Sequence, residues 1–227
     1  DEALVAYRRA LVLHPGFVAA YHGAANVLRG MGRPGEAVEL YRTGVRVMAD
    51  DPGMWSGLLF TLNYLETAEP DAMLASARAY GERVSGRALP FLHHDNEVDP
   101  DRRLRVGLVS GDFGDHPVGY FLERVVESLE AASLELFAYE TFRRTGERNQ
   151  RLRRSIPHWT EASPADMPDE ALVGQIRADG IDILIDLAGH TAHNRLPVFA
   201  WKPAPVQVAW LGYFATTGLA AMDYILA

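Results

Sequence analysis

The chain has 227 residues, 48% of them hydrophobic and 23% charged, which is enough apolar mass for a packed core and gives no reason to expect disorder. Lys and Arg number 22 against 30 Asp and Glu, and the net charge of −8 argues against a nucleic-acid partner, because a phosphate backbone needs a basic face. Cysteine is absent, so disulfide scaffolds, zinc ribbons and thiol nucleophiles are excluded, and no apolar run reaches the ~20 residues of a membrane span; no membrane partner and a cytoplasmic location are expected.

The chain starts at Asp1 rather than Met and is expected to be a piece of a longer protein. Shifting it by 34 residues sets Glu2-Ala3 on Glu36-Ala37, Tyr7-Arg8 on Tyr41-Arg42, Leu11 on Val45, Tyr21 on Trp55 and Ala24 on Leu58. Thirty-four is the period of a tetratricopeptide unit, two antiparallel helices in which small residues let the axes approach. Within one unit Tyr21, Ala24, Ala25 and Leu28 keep helical spacing, the turn from Gly30 to Gly35 breaks the chain, and Glu36 starts the next helix. Pro15 and Pro52 are expected to close successive second helices. Residues 1–50 therefore read as tetratricopeptide repeats, the end of an array, since fewer than about three such units rarely stand alone.

Residues 51–100 read as a helical connector and linker. Trp55, Leu58, Leu59, Leu62 and Leu65 make one apolar helical face, and another helix runs from Pro70 to Val84. Pro90 to Pro100 is polar and aperiodic. From 101 to 227 the period changes. Leu104–Ser110 has the continuous apolar character of a buried parallel strand. A helix is expected over Pro117–Ala131, a strand over Leu134–Tyr139, a short helix over Arg148–Ser155, and a clearer one over Asp169–Ala178, stopped by Gly180. Strands follow at Ile181–Leu187, Val206–Leu211 and Tyr224–Leu226. The alternation specifies a doubly wound parallel sheet, so the whole chain is α followed by α/β.

In such sheets ligands bind beyond the carboxyl ends of the strands. Three glycine-bearing polar loops belong there: 110–117, 186–191 and 212–218. In the first, Pro117 suits the first turn of a helix, with Asp115 or His116 at its cap. The helix amino end disfavours imidazolium at His116, while Asp112 opposes this if it bonds the ring; a neutral His near a cleft is a usable general base. Gly111-x-x-Gly114 is not a dinucleotide fingerprint, because Gly107 lies inside the strand and no acidic residue follows at the expected place. His190 and His193 could share a helical face as metal ligands, but no third ligand matches, and Asp99-Pro-Asp101 reads as a solvated turn; no metal site is expected.

Arg103-Leu104-Arg105-Val106-Gly107 through Asp112-Phe113-Gly114-Asp115-His116-Pro117 resembles the start of the catalytic region of protein O-linked N-acetylglucosamine transferases. So do Asp182 to Thr191, Lys202-Pro203-Ala204-Pro205-Val206-Gln207 through Tyr213, and Thr216-Thr217-Gly218 with Met222-Asp223-Tyr224. Tetratricopeptide units precede that region in the family. The Gly-His-Thr-x-x-Asn-Arg stretch is similar to the bacterial and SPINDLY-like branch, whose plant relatives transfer fucose. The resemblance covers essentially the whole chain. It departs at Phe214-Ala215, where Pro-Gly or Pro-Asn is usual, and near Trp55, where a family His is missing.

The resemblance implies a metal-independent, inverting transferase of the GT-B type, with two facing Rossmann-like lobes, moving N-acetylglucosamine from UDP-N-acetylglucosamine to Ser or Thr hydroxyls of proteins. Carried over by motif, His116 and Asp112 match the catalytic-loop His and Asp. Pro117 matches a residue packing beside the sugar, Leu211 and Gly212 match backbone facing it, and His190 stands where other members have a Tyr; with Thr191 it is expected to contact the sugar or acceptor. The chain is expected to hold the first lobe alone, without the groups that grip the diphosphate, and so to be inactive in isolation. Two other readings stay open at this point: a protein O-fucosyltransferase using GDP-fucose, and a non-catalytic peptide-binding repeat module.

Overall fold

The computed structural model describes residues 2–66, 68–129 and 133–226. The chain divides into two compact units, residues 1–83 and 84–227, and the division falls inside the stretch read as connector.

The first unit is helical: α1 (Glu2–Leu13), α2 (Val18–Gly30), α3 (Pro34–Val47), α4 (Pro52–Leu62) and α5 (Pro70–Ser85). The starts of α2 and α4 lie 34 residues apart, as the repeat requires. One contact shows why the period is kept. A Cβ on Gly23 would come within 2.4 Å of the Tyr7 ring, and one on Gly57 within 2.3 Å of the Tyr41 ring. Each hairpin thus seats a tyrosine of one helix on a bare glycine of the next, at positions related by the same shift. Pro52 does not close a helix. It opens α4 at the first turn, where its missing N–H costs nothing, and Asp51 caps that turn by accepting from Met54 N at 2.8 Å.

The second unit carries six parallel strands, β1 (Leu104–Ser110), β2 (Leu134–Glu140), β3 (His158–Glu161), β4 (Ile183–Asp186), β5 (Val206–Trp210) and β6 (Tyr224–Leu226), in the order β3-β2-β1-β4-β5-β6. Helices α6 (Pro117–Ser128), α7 (Glu147–Ser155), α8 (Asp169–Ala178) and the short α9 (Leu196–Ala200) cross between them. This is the Rossmann-like lobe that was expected. The helix expected to run to Ala131 leaves helical geometry at Leu129, and Ala131 lies outside the described residues. Two elements carry no adequate periodicity: β3, four residues at the sheet edge, and α9, five residues.

Under α6 and α7 the core joins Val106, Leu108, Phe113, Val118, Leu122, Leu136, Leu152, Ile156 and Leu187. Phe113 belongs to a loop, yet it is fully buried and tilts against Trp159 with ring centres 5.0 Å apart. Burying a ring of this size contributes roughly 2–3 kcal/mol, so Phe113 anchors the loop after β1 to the core.

Candidate active site

Strand register places the three loops. Val109 pairs with Asp186, and Asp186 with Ala209, so the turns after β1, β4 and β5 leave the same edge of the sheet side by side. Close approaches then lock them. A Cβ on Gly111 would meet His193 Cβ at 2.7 Å, and one on Gly212 would stand 1.9 Å from the Leu187 carbonyl oxygen. Only glycine lets the third loop lie on the second there.

The first loop is a chain of tight turns. Asp112 N donates to Ser110 Oγ at 2.9 Å, Gly114 N to Asp112 O at 2.8 Å, and His116 N to Gly114 O at 2.8 Å. Two successive three-residue turns coil the segment tightly enough to deliver His116 to the start of α6. Of the two expected capping residues, His116 is the one used. Its backbone is extended, Pro117 occupies the first turn, and Nδ1 accepts from Val118 N at 3.3 Å. Gly119 permits this, because a Cβ there would lie 2.1 Å from Gly114 O.

Asp112 is buried and turns one oxygen toward the ring, with Oδ2 3.6 Å from His116 Nδ1. That separation is an electrostatic contact rather than a hydrogen bond. Oδ1 is occupied by Arg144 Nη2 at 2.7 Å. The His116 ring is 38% exposed, so it is reachable from the rim. Pro117 beside it is exposed.

The second loop hangs on Asp186. Its carboxylate accepts from Ala188 N at 3.1 Å and Gly189 N at 2.8 Å, and burial pushes its pKa up to about 6 against those two bonds. His190 and His193 do not share a helical face, since they lie in irregular turns. His190 is buried at 2% exposure, sits edge-on to Tyr213, and reaches Thr217 O at 3.0 Å through Nε2. His193 is exposed and stacks on Phe142 with centres 3.9 Å apart. Thr191 Oγ1 donates to Ala188 O at 2.8 Å and closes the turn.

The third loop begins with strain. Leu211 has φ +72, and Gly212 N donates to Trp210 O at 2.9 Å, the pattern of a three-residue turn with a left-handed centre. A side-chain-bearing residue held this way costs of order 1–3 kcal/mol and persists only where its surroundings impose it. Leu211 packs on the core beside Leu187, which supplies that constraint.

Among the described residues no group of three His, Asp or Glu side chains gathers as a metal site. Asp99 Oδ1 accepts from Asp101 N at 2.9 Å, the solvated turn that was expected. A cleft of about 470 Å³ does open at the opposite edge of the sheet, lined by Asn96, Arg102, Arg105, Glu135, Arg177 and Asp182. Its charges are spent on one another: Arg102 grips Asp182 at 2.6 and 2.7 Å, and Arg105 pairs with Glu135 at 3.3 Å. It lies away from the strand ends that present His116.

Two contributors to the rim escaped the sequence reading. Glu140 ends β2 fully buried and accepts from Asn149 Nδ2 at 2.9 Å and Arg144 N at 3.2 Å. Arg144 then spans to the first loop. A carboxylate closing the apolar run Leu136–Tyr139 was the available signal, though nothing local says what it holds.

Residues 82–227 match the model of glycosyl transferase family 41. A UDP-N-acetylglucosamine–peptide N-acetylglucosaminyltransferase of Caenorhabditis elegans is 36% identical over 139 residues, 60% of this chain and 12% of that protein. The SPINDLY protein of Petunia hybrida is 32% identical over 184 residues, 79% of this chain and 20% of its own. A solved O-GlcNAc transferase mutant of Thermobaculum terrenum superposes with a TM-score of 0.90 at 36% identity, covering 98% of this chain and 42% of that one. The chain thus spans about a fifth of the length, or less, of these curated relatives. No helix among the described residues is long and apolar enough to cross a membrane.

Proposed function

The chain belongs to glycosyl transferase family 41, and from that premise we propose that it forms the acceptor side of a protein O-N-acetylglucosaminyltransferase. The donor is UDP-N-acetylglucosamine and the acceptor a Ser or Thr hydroxyl of a protein, without a metal ion, in the cytoplasm. The observation that carries the reading is the pairing of His116 with Asp112 on an open rim, 3.6 Å apart, at the amino end of α6.

The acceptor hydroxyl attacks the anomeric carbon as the bond from that carbon to the diphosphate breaks, and the electron pair leaves with UDP. Its proton goes to His116 Nε2. For Nε2 to be free, the ring must carry its own proton on Nδ1, so the bond that Nδ1 accepts from Val118 N has to give way to Asp112 Oδ2, which faces the same atom at 3.6 Å. Leu211 and Gly212 form the strained backbone edge against which the sugar lies, with Pro117 beside it. His190 and Thr191 act from beneath by holding that edge in place.

Incubating the full-length gene product with a Ser/Thr peptide and either labelled UDP-N-acetylglucosamine or labelled GDP-fucose tests the assignment. Transfer from the first donor is expected. Transfer from the fucose donor alone, or label released without reaching peptide, would overturn it.

A further inference from the structure

Arg144 reaches the rim from the loop after β2, a loop the proposed chemistry does not otherwise use. Its Nε donates to Gly111 O at 2.8 Å and its Nη2 to Asp112 Oδ1 at 2.7 Å. We propose that Arg144 is a positioning residue for the transfer proposed above: it fixes the Asp112 carboxylate and limits how much of that negative charge acts on His116.

The fork is built from both ends. Its stem crosses Gly114, where a Cβ would already stand 3.0 Å from Arg144 Cβ, so a side chain at 114 would push it away. Its backbone N donates to Glu140 Oε1 at 3.2 Å, and Asn149 Nδ2 links the same Glu140 oxygen, at 2.9 Å, to Phe113 O, at 2.7 Å. Asn149 therefore ties the two loops from below and Arg144 ties them at the rim. Beside the fork, Arg144 lies 5.0 Å from the centre of the Phe142 ring, whose face carries His193. A planar, two-pronged cation suits this geometry, whereas a lysine could satisfy only one of the two acceptors.

His116 Nδ1 faces two competing groups. Val118 N–H offers it a proton at 3.3 Å, which keeps the ring proton on Nε2 and blocks a base there. Asp112 Oδ2 at 3.6 Å favours the opposite tautomer, and also favours imidazolium. Arg144 weakens that second pull by sharing the carboxylate. The other charges nearby are engaged elsewhere: Asp115 pairs with Arg148 of α7 at 3.3 Å, and Arg148 also meets Glu123 of α6. From the loop after β4 comes His193. Burial lowers its pKa, Arg144 lowers it further and Asp112 raises it, so the two charges already act there with opposite sign. Arg144 is 30% exposed and Asp112 6%, so solvent moderates the effect without abolishing it.

The test is an NMR titration of the His116 ring in this chain, which needs no activity. Arg144→Gln is expected to raise the His116 midpoint, whereas Arg143→Gln, the same charge change on an exposed neighbour, leaves it in place. In the wild-type protein the Arg144 Nε–H resonance, identified by its loss in Arg144→Lys, is expected to shift with the His116 midpoint; this arm decides the matter if Arg144→Gln does not fold. With the full-length gene product, the acidic limb of kcat/KM moves upward with the NMR midpoint in Arg144→Gln. An unmoved midpoint, equal movement in Arg143→Gln, or an Arg144 resonance indifferent to the His116 titration would overturn the proposal. Absence of transfer by the wild-type gene product would count against the proposed function alone, and the NMR arms would still decide the role of Arg144.

Discussion

His190 donates from Nε2 to the carbonyl oxygen of Thr217 across 3.0 Å, tying the loop after β4 to the loop after β5. Burial holds this imidazole neutral, with its pKa pushed down to about 4, the bond to Thr217 opposing the shift only in part. Four residues earlier, burial pushes Asp186 up to about 6.

The two groups give opposite pH dependences. His190 binds its proton more weakly folded than unfolded, so its contribution is complete above about pH 6.5 and is lost as pH falls toward 4. Asp186 binds its proton more tightly folded, so its contribution is present below about pH 3.8 and is lost as pH rises through 6. Each shift corresponds to about 3 kcal/mol. Urea unfolding across this range is expected to show the stability gap between wild type and His190→Gln widening with pH by about that amount. The gap to Asp186→Asn should narrow with pH. Parallel slopes would contradict both assignments.

Gly119→Ala is expected to cost about 2–4 kcal/mol, because the new methyl meets a backbone oxygen at 2.1 Å and no flexible side chain can yield. The coiled loop should shift with the first turn of α6 and displace His116. A urea midpoint equal to wild type, with unchanged amide shifts over 111–118, would show that the approach is not tight.

Glu140→Ala removes the acceptor shared by Asn149, Arg144 N, Arg153 and Trp159 Nε1. A loss of about 3 kcal/mol is expected, together with faster amide hydrogen exchange over 141–149 than in wild type. Exchange confined to β2 while that loop stays protected would refute the role given to Glu140.

Much of this rim was legible in the sequence because its cues are local. Pro117 after His116 marks a helix start, and the apolar runs read at 104–110 and 181–187 lead into glycine-bearing polar turns. What was not legible depends on distance. Arg144 lies 32 residues from the Asp112 it holds. Asp182 looked like part of a strand, yet β4 begins only at Ile183, while the Asp182 carboxylate faces Arg102, Asn96 and the Arg105 N–H. His190 and His193 looked alike in sequence and separate into a buried strut and an exposed stack. The Lys202 to Gln207 stretch, a strong part of the resemblance, is largely architectural: Gln207 Nε2 donates to Phe199 O and Ala221 O at 2.9 Å each, and Lys202 pairs with Asp223. The short β3 and α9 take their form from tertiary packing, which overrides weak local preference.

The most direct measurement is single-turnover transfer of labelled N-acetylglucosamine to a Ser/Thr peptide by the full-length gene product, compared with its His116→Ala variant at equal folded concentration. A loss of about 10²–10⁴-fold in the transfer rate is expected if His116 accepts the hydroxyl proton. A variant that transfers sugar as fast as wild type would remove His116 from the chemistry, and the proposed mechanism with it.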